Sequence, residues 1–473
     1  MTPRTLERAR PMTLMPVSGK ACRRQHPLMR RLTTLLLAVL STTSWATEPE
    51  GPRARGRSGV DWPTFLGPTG DSVSPETGIR TDWSRGLPLV WQKDVGEGYS
   101  MGSVASGRFF LFDRVGHEAR LRALDAASGE VLWSTGYPTH YKDHYGYSTG
   151  PRASPVVDGD RVYTFGVEGR LRCLRTSDGE LLWDVDTSTR FGVVQNFFGV
   201  GSTPVVEKDA IIVMIGGSPP GSPAMHSGEV RGNGTGLVAF DKASGKVRWT
   251  LSNELASYST PRIATMGGRR RGFAFTRGGL LGFDPARGAQ DFFFPWRART
   301  LESVNAATPL VVDDTVFVSE TYGPGSVLLK IPSTGDPTVL WQDSRRNQSL
   351  QTHWNTPVLH DGHLYASSGR GSGGAELRCI DYRSGEVRWA QPGLSRSTLL
   401  LVDRHIVVLT EYGRLLLVHP NPERYELVSE VELKDDNGRK LLRHPAWNPP
   451  ILAHGILYVR GKDRVVALEL IPR

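Results

Sequence analysis

One short pattern recurs along this chain and decides most of what it can become. It reads "LRALDAASGEVLW" (121–133), "LRCLRTSDGELLW" (171–183), "LVAFDKASGKVRW" (237–249) and "LRCIDYRSGEVRW" (377–389). Each copy holds an apolar strand-like run, a turn with a glycine, and a tryptophan four residues past that glycine. The turn glycines Gly129, Gly179, Gly245, Gly288, Gly335 and Gly385 follow one another at intervals of 50, 66, 43, 47 and 50 residues. A repeat near fifty residues, made only of strand-type segments, predicts the blades of a β-propeller.

A second motif interleaves with the first. "ASPVVDGDRVYTFG" (153–166), "STPVVEKDAIIVMIGG" (202–217), "ATPLVVDDTVFVSE" (307–320) and "NTPVLHDGHLYASSG" (355–369) are each a short strand, an Asp/Gly turn and a longer apolar strand. That is a hairpin signature. Weaker copies begin at 100, 259, 397 and 449, and the third-strand run begins at 121, 171, 237, 280, 327, 377, 415 and 465. Both counts give eight. The last run, "RVVALEL" (464–470), has no fourth strand after it, and "PLVWQKDV" (88–95) is a fourth strand with no third before it. Pairing the two closes the ring and removes an open sheet edge. The expectation is an all-β, eight-bladed propeller of four-stranded antiparallel blades over 61–473.

Trp91, Trp133, Trp183, Trp249, Trp341 and Trp389 then hold equivalent structural positions between blades. Phe292 or Trp296 stands in for the fourth unit, and the seventh is degenerate. An aromatic that buries ~150–250 Å² contributes at most about 4–6 kcal/mol at ~25 cal/mol per Å². These residues are therefore read as architecture. The glycines supply a positive torsion, and Asp125, Asp241 and Asp381 bond the turn amides.

The formal charge of +9 misleads. In the first 46 residues Arg4, Arg8, Arg10, Lys20, Arg23, Arg24, Arg30 and Arg31 face Glu7 alone, so the remainder is nearly neutral. Nucleic-acid binding gains no support from it. "MRR" (29–31), "LTTLLLAVL" (32–40) and "SWA" (44–46) read as a secretory signal within a leader of 1–46. A disordered linker is expected at 47–60. The expectation is a periplasmic or extracellular protein, monomeric, with no membrane span in its mature form. No cysteine follows the apolar core, so a lipid anchor there is not expected. Cys22 leaves with the leader. Cys173 and Cys379 read as buried hydrophobes on opposite sides of the ring, too far apart for a disulfide.

The repeat unit resembles the tryptophan-docking repeat of pyrroloquinoline quinone (PQQ)-type propellers. That group includes quinoprotein alcohol dehydrogenases and the propeller lipoprotein of the outer-membrane barrel-assembly machinery. The opening "DWPTFLGPTGDSVSPETGI" (61–79) looks like the entry segment of a secreted bacterial subgroup. The resemblance implies fold more than function. For the dehydrogenases it implies PQQ and calcium, an adjacent pair of cysteines, an aspartate base and a tryptophan floor. Asn305 and Arg152 offer pieces of such a site, and Trp354 or Trp447 a floor. The cysteine pair is missing and no base stands out. For the assembly lipoprotein it implies a lipid-bearing cysteine directly after the apolar core, which this leader lacks.

In a propeller the loops entering the innermost strands converge on one concave face. Here those loops are rich in aromatic and polar groups. The candidate ligand face is Tyr99, Tyr147, Arg152, Phe198, Tyr258, Asn305, His353, Trp354, Arg396 and Trp447. Flat aromatics with two arginines suit a planar anionic ligand, a sugar or a peptide end. The competing reading is that these side chains plug the channel and bond one another.

Other motifs carry less. His140, Asp143 and His144 have metal-like spacing but no accompanying cluster, so no metal is expected. "GYSMG" (98–102) matches a nucleophile elbow but lacks a following helix, and "GRGSGG" (369–374) is read as a hairpin loop. The 216–236 insertion reads as a surface excursion able to cap the channel or meet a partner, and "GRRRG" (268–272) as a solvated hairpin tip. Asn233 and Asn347 open glycosylation sequons. Two function classes remain. The first is a binding or scaffold module of the cell envelope, which presents the channel face to an envelope protein, a small molecule or a polymer and has no catalytic residue. The second is a PQQ- and calcium-dependent alcohol or sugar dehydrogenase.

Overall fold

The computed structural model describes residues 57–193, 197–223 and 229–473. The residues read as a leader with a secretory signal, and the first part of the expected linker, lie outside the described residues. Eight antiparallel sheets form the propeller. Blade 1 meanders outward through Ser103–Ala105, Arg108–Val115, Glu118–Asp125 and Val131–Pro138. Blades 2 to 7 repeat that order at 156–186, 205–251, 262–295, 310–342, 358–391 and 397–432. The middle strands of each blade are covered on both faces, which is why runs such as Ala210–Met214 and His405–Thr410 are apolar without alternation. Among the described residues the helix content is one short segment, Thr187–Phe191, capped by the Asp186 carboxylate.

Blade 8 takes Ile451–Ala453, Ile456–Arg460 and Arg464–Glu469 from one end of the chain and its outer strand, Leu89–Asp94, from the other. Trp91 stands opposite Ala467 in that pairing. The closure expected from the two orphan strands is present.

The docking tryptophans sit at one register position, beside a β-bulge in the outer strand. Each indole Nε1 donates to a carbonyl in the next blade: Trp91 to Ala126 (2.9 Å), Trp133 to Thr176 (3.0 Å), Trp183 to Lys242 (3.1 Å), Trp249 to Pro285 (3.2 Å), Trp341 to Tyr382 (2.9 Å) and Trp389 to Asn421 (2.7 Å). The turn glycine explains itself twice over. Gly129 has φ of 73°, and a Cβ there would stand 2.7 Å from the Trp91 ring. Asp125 Oδ1 accepts from the amides of Ala127 and Ser128, as expected of the acid before the turn.

The two irregular blades are resolved by register. Phe292, opposite Gly282, holds the docking position of blade 4, while Trp296 reaches on to donate to the Gly325 carbonyl at 3.0 Å. In blade 7 the position belongs to Ser429, opposite Leu417. The amide of Trp83 donates to the Ser429 hydroxyl, and the Trp83 ring is buried in the core cluster that contains Leu415 and Leu417. The N-terminal segment thus supplies the aromatic that blade 7 lacks.

The "GRRRG" tip is solvated at Gly268–Arg270, as expected, but it is also anchored. Arg270 pairs with Glu207 of blade 3, and buried Arg271 donates to the Pro332 carbonyl of blade 5 at 2.6 Å. Its tip is a staple across three blades, a role that side-chain reach gives it and composition does not reveal. Asn233, inside the insertion, donates to the carbonyls of Phe191 and Ser218, so the described part of that excursion is tied to the short helix. Residues 57–60, read as the end of a linker, are anchored: Arg57 pairs with Glu469, and the Val60 amide donates to Glu76.

Candidate functional site

Six of the eight innermost strands are three residues long, so their entry residues crowd one end of the channel and their exit turns the other. Residues 60–79 run along the exit side. Asp61 accepts from the Ser106 amide and bonds His454, Glu76 accepts from the amides of His454 and Gly455, and Asp403 accepts from those of Gly78 and Ile79. The same segment adds main-chain bonds to inner strands. Trp62 bridges Val104, the Pro63 carbonyl takes the Val157 amide, and Val73–Ser74 pairs in parallel with Leu401–Val402. The channel is therefore closed at that end.

What remains is a cup of about 550 Å³ opening on the entry face. Phe65 comes from the closing segment. Gly201, Thr203, Thr260, Val304, Ala306 and Pro449 form walls, and Tyr99, Tyr147, Arg152, Phe198, Tyr258, His353, Trp354, Arg396 and Trp447 line it with Tyr322 and Arg370. Nine of the ten residues read from the sequence as the ligand face meet here. Asn305 does not. It is buried, its amide donating to the carbonyls of Thr276 and Trp296, and its own carbonyl fixes the amides of Tyr258 and Ser259. It positions the Tyr258 loop from behind.

The aromatics form a collar. Ring centroids lie 4.9 Å apart for Tyr99–Trp447, 4.8 Å for Trp354–Trp447, 4.6 Å for His353–Trp354, 5.6 Å for Tyr147–Phe198 and 5.7 Å for Phe198–Tyr258. Two buried carboxylates hold it in place. Glu411 accepts from Arg396 Nη2 at 2.6 Å and from Trp447 Nε1 at 3.1 Å, and the Arg396 guanidinium lies 4.4 Å over Trp354 and 5.2 Å over Trp447. Burial alone would raise the Glu411 carboxyl, but the bonds from Arg396 and Trp447 outweigh it and bring it to about 2. On the other side Arg152 donates to Asp143 at 2.8 Å and lies over Tyr99. Asp143, the middle member of the metal-like triplet, is spent on that pair and on the Tyr147 amide.

Burial, with Arg396 and Arg370 nearby, pushes His353 down to about 3, so its ring is neutral and bonds the Tyr322 hydroxyl at 3.0 Å. Burial pushes Tyr99 up to about 12. Arg460, fully buried, donates to the carbonyls of Gly96, Gly98 and Ser100 and so grips the loop that presents Tyr99. Ser100 of "GYSMG" is itself buried. "GRGSGG" leads into the strand Glu376–Asp381, as a hairpin loop should, but it also delivers Arg370 and Gly371 to the cup. Sequence reasoning missed Arg370, Tyr322, Phe65 and Glu411. The first two follow second strands instead of preceding first ones, and Glu411 acts only through Arg396 and Trp447.

The donor set does not fit a calcium-bound quinone. Among the described residues that line the cup there is no Asp or Glu to ligate the cation or act as base, and the aromatic pairs named above meet at 47–80° instead of forming parallel plates. Cys173 and Cys379 are free and buried within blades 2 and 6. No helix among the described residues is long and apolar enough to cross a membrane.

The comparisons agree with the fold. No curated protein matches the chain. Among solved structures it is similar to BamB from Moraxella catarrhalis, with 13% identity, a TM-score of 0.55, and coverage of 81% of this chain and 97% of that one. It is similar to the quinohemoprotein alcohol dehydrogenase from Comamonas testosteroni at 12% identity and TM-score 0.59, covering 87% and 82%. The computationally designed protein Ika8 gives 11% identity and TM-score 0.52, covering 81% and 100%. At such identities the likeness establishes the eight-bladed fold. The family model described as outer membrane protein assembly factor BamB matches residues 117–354 and 294–422, together more than half of the 473 residues. On that match, and on the docking-tryptophan ring beneath it, the chain belongs to the PQQ-like propeller family of the outer membrane protein assembly factor BamB.

Proposed function

We propose that this protein is a secreted or periplasmic binding and scaffold module of the cell envelope, acting as a monomer through the cup on its entry face. The observation that carries the reading is the cup's pre-organisation. Two buried arginine–carboxylate pairs, Arg396–Glu411 and Arg152–Asp143, hold an aromatic collar open around about 550 Å³. A rigid aromatic cavity binds well because little freedom is lost on binding. The family description supports an envelope setting and a protein partner, and exposed Tyr145, Tyr147 and Tyr412 give the rim a surface for one.

The test is tryptophan fluorescence of the purified chain titrated with envelope-derived oligosaccharides and peptides, beside Trp354→Ala. Saturable quenching in the parent chain that falls by about tenfold or more in affinity in the variant is expected, as for loss of a central aromatic anchor. Stoichiometric uptake of PQQ with calcium, accompanied by dye-linked alcohol oxidation, would overturn it.

A further inference from the structure

Resting on the binding-module reading, we infer that the cup takes the acidic end of a glycan: a pyranose ring carrying one carboxylate. Three observations converge. The first is hydrogen-bond polarity. The hydroxyls of Thr203, Thr260 and Tyr258 each accept a backbone amide, from Ser154, Thr203 and Phe198, at 3.1, 3.3 and 2.8 Å. Each keeps its own proton to donate. The carboxylates near the cup are already committed to arginines. These hydroxyls offer the cup donors while its nearby carboxylates are spent, so it favours a ligand rich in acceptors.

The second is charge. Arg152 and Arg396 are neutralised by their partners, whereas Arg370 makes no ion pair among the described residues and lies 4.4 Å over the Tyr322 ring. One exposed, uncompensated guanidinium at the rim matches one carboxylate. The third is shape. Trp354, Trp447 and Tyr99 are tilted at 47–48° to their neighbours, so they make a concave wall without a flat slot. A pyranose offers C–H edges in several directions to the negative faces of such rings, while a flat ring system finds a partner on one side only. A peptide would add as a strand to an inner edge, but the protein's own residues 62–74 already pair with the inner strands of blades 1, 2 and 7.

The test is calorimetric titration of the purified chain with a glucuronate-terminated disaccharide, its methyl ester, and a tripeptide with a free C-terminal carboxylate. The acid is expected to bind about tenfold tighter than the ester, in line with a charge-assisted bond, and Arg370→Gln to shrink that ratio below about threefold. Arg370 is exposed, and an unchanged unfolding midpoint checks that the variant is folded. Equal binding of acid and ester, or a preference that survives Arg370→Gln, overturns the ligand class. So does tighter binding of the tripeptide. In each of those cases the binding-module reading stands if Trp354→Ala still weakens binding by about tenfold or more. If no probe binds at all, the ligand class fails, and the module reading falls with it only when the wider panel of oligosaccharides and peptides is also silent.

Discussion

Glu411 shows how much one residue can decide without touching a ligand. Its carboxylate is fully buried and receives Arg396, Trp447 and the Arg396 amide. Removing the charge leaves the Arg396 guanidinium uncompensated between two tryptophans. Glu411→Gln is therefore expected to cost about 3 kcal/mol, the low end for breaking a buried pair, measured by denaturant unfolding at neutral pH. The pH dependence has a definite sign. The folded carboxyl lies near 2 against an ordinary 4.5, so its contribution is complete above 4.5 and is lost as pH falls toward 2. The variant should flatten that acid limb; a limb identical to the parent's would show that Glu411 does not hold the collar. Residues of this kind are hard to read from sequence. Trp354 and Trp447 announced themselves in entry loops, but Glu411 follows a second strand: the blade 7 hairpin sets it opposite Arg396, and the ring then brings Trp447 to it. Asn305 failed in the opposite way: it sits in an entry loop, yet its amide turns inward to carbonyls.

At the scale of elements, strands and blades were legible and the plug was not. The hairpin and third-strand patterns are local, so periodicity finds them. Residues 60–79 make their contacts with exit turns some 40 to nearly 400 positions away, such as Asp61 with Ser106 and Glu76 with Gly455. Nothing local encodes that. The plug also carries a titrating latch. Its Asp61 carboxylate bonds His454, Glu76 faces the same turn, and Arg57 approaches Gly455. The bond that His454 donates to Asp61 raises it above its ordinary 6.5. A raised histidine stabilises fully below 6.5 and ceases to do so as pH climbs through its folded value. Amide exchange at Trp62 and Val104, whose main chains bridge, should thus quicken on alkaline titration beyond the intrinsic chemical rate. Asp61→Asn should abolish that dependence, and its persistence in the variant would remove the latch from the account.

For the whole molecule the closure is the consequential feature, because a ring whose last blade is shared between distant segments cannot open without breaking a sheet. Leu89–Asp94 against Arg464–Glu469 is such a seam, one strand from one side and three from the other. Arg57 bonds the Ile471 carbonyl, so the flanks of that seam are neighbours and a short peptide can join them. Two permuted chains then separate seam from contacts. Opening at exposed 334–336, between the third and fourth strands of blade 5, recreates a one-plus-three seam with Thr338–Gln342 as the lone strand. Opening at exposed 345–347, between blades 5 and 6, leaves every blade continuous and the ring held there by side chains alone. Both chains keep the same buried contacts. If the shared sheet is what locks the ring, the first permutant unfolds at close to the parental rate and the second at least about tenfold faster, since ladder bonds at the seam must break before the first can open. Stopped-flow unfolding in denaturant reads this directly. Equal rates for the two permutants would mean that tryptophan docking between blades, not the zipped sheet, carries the kinetic stability of the ring.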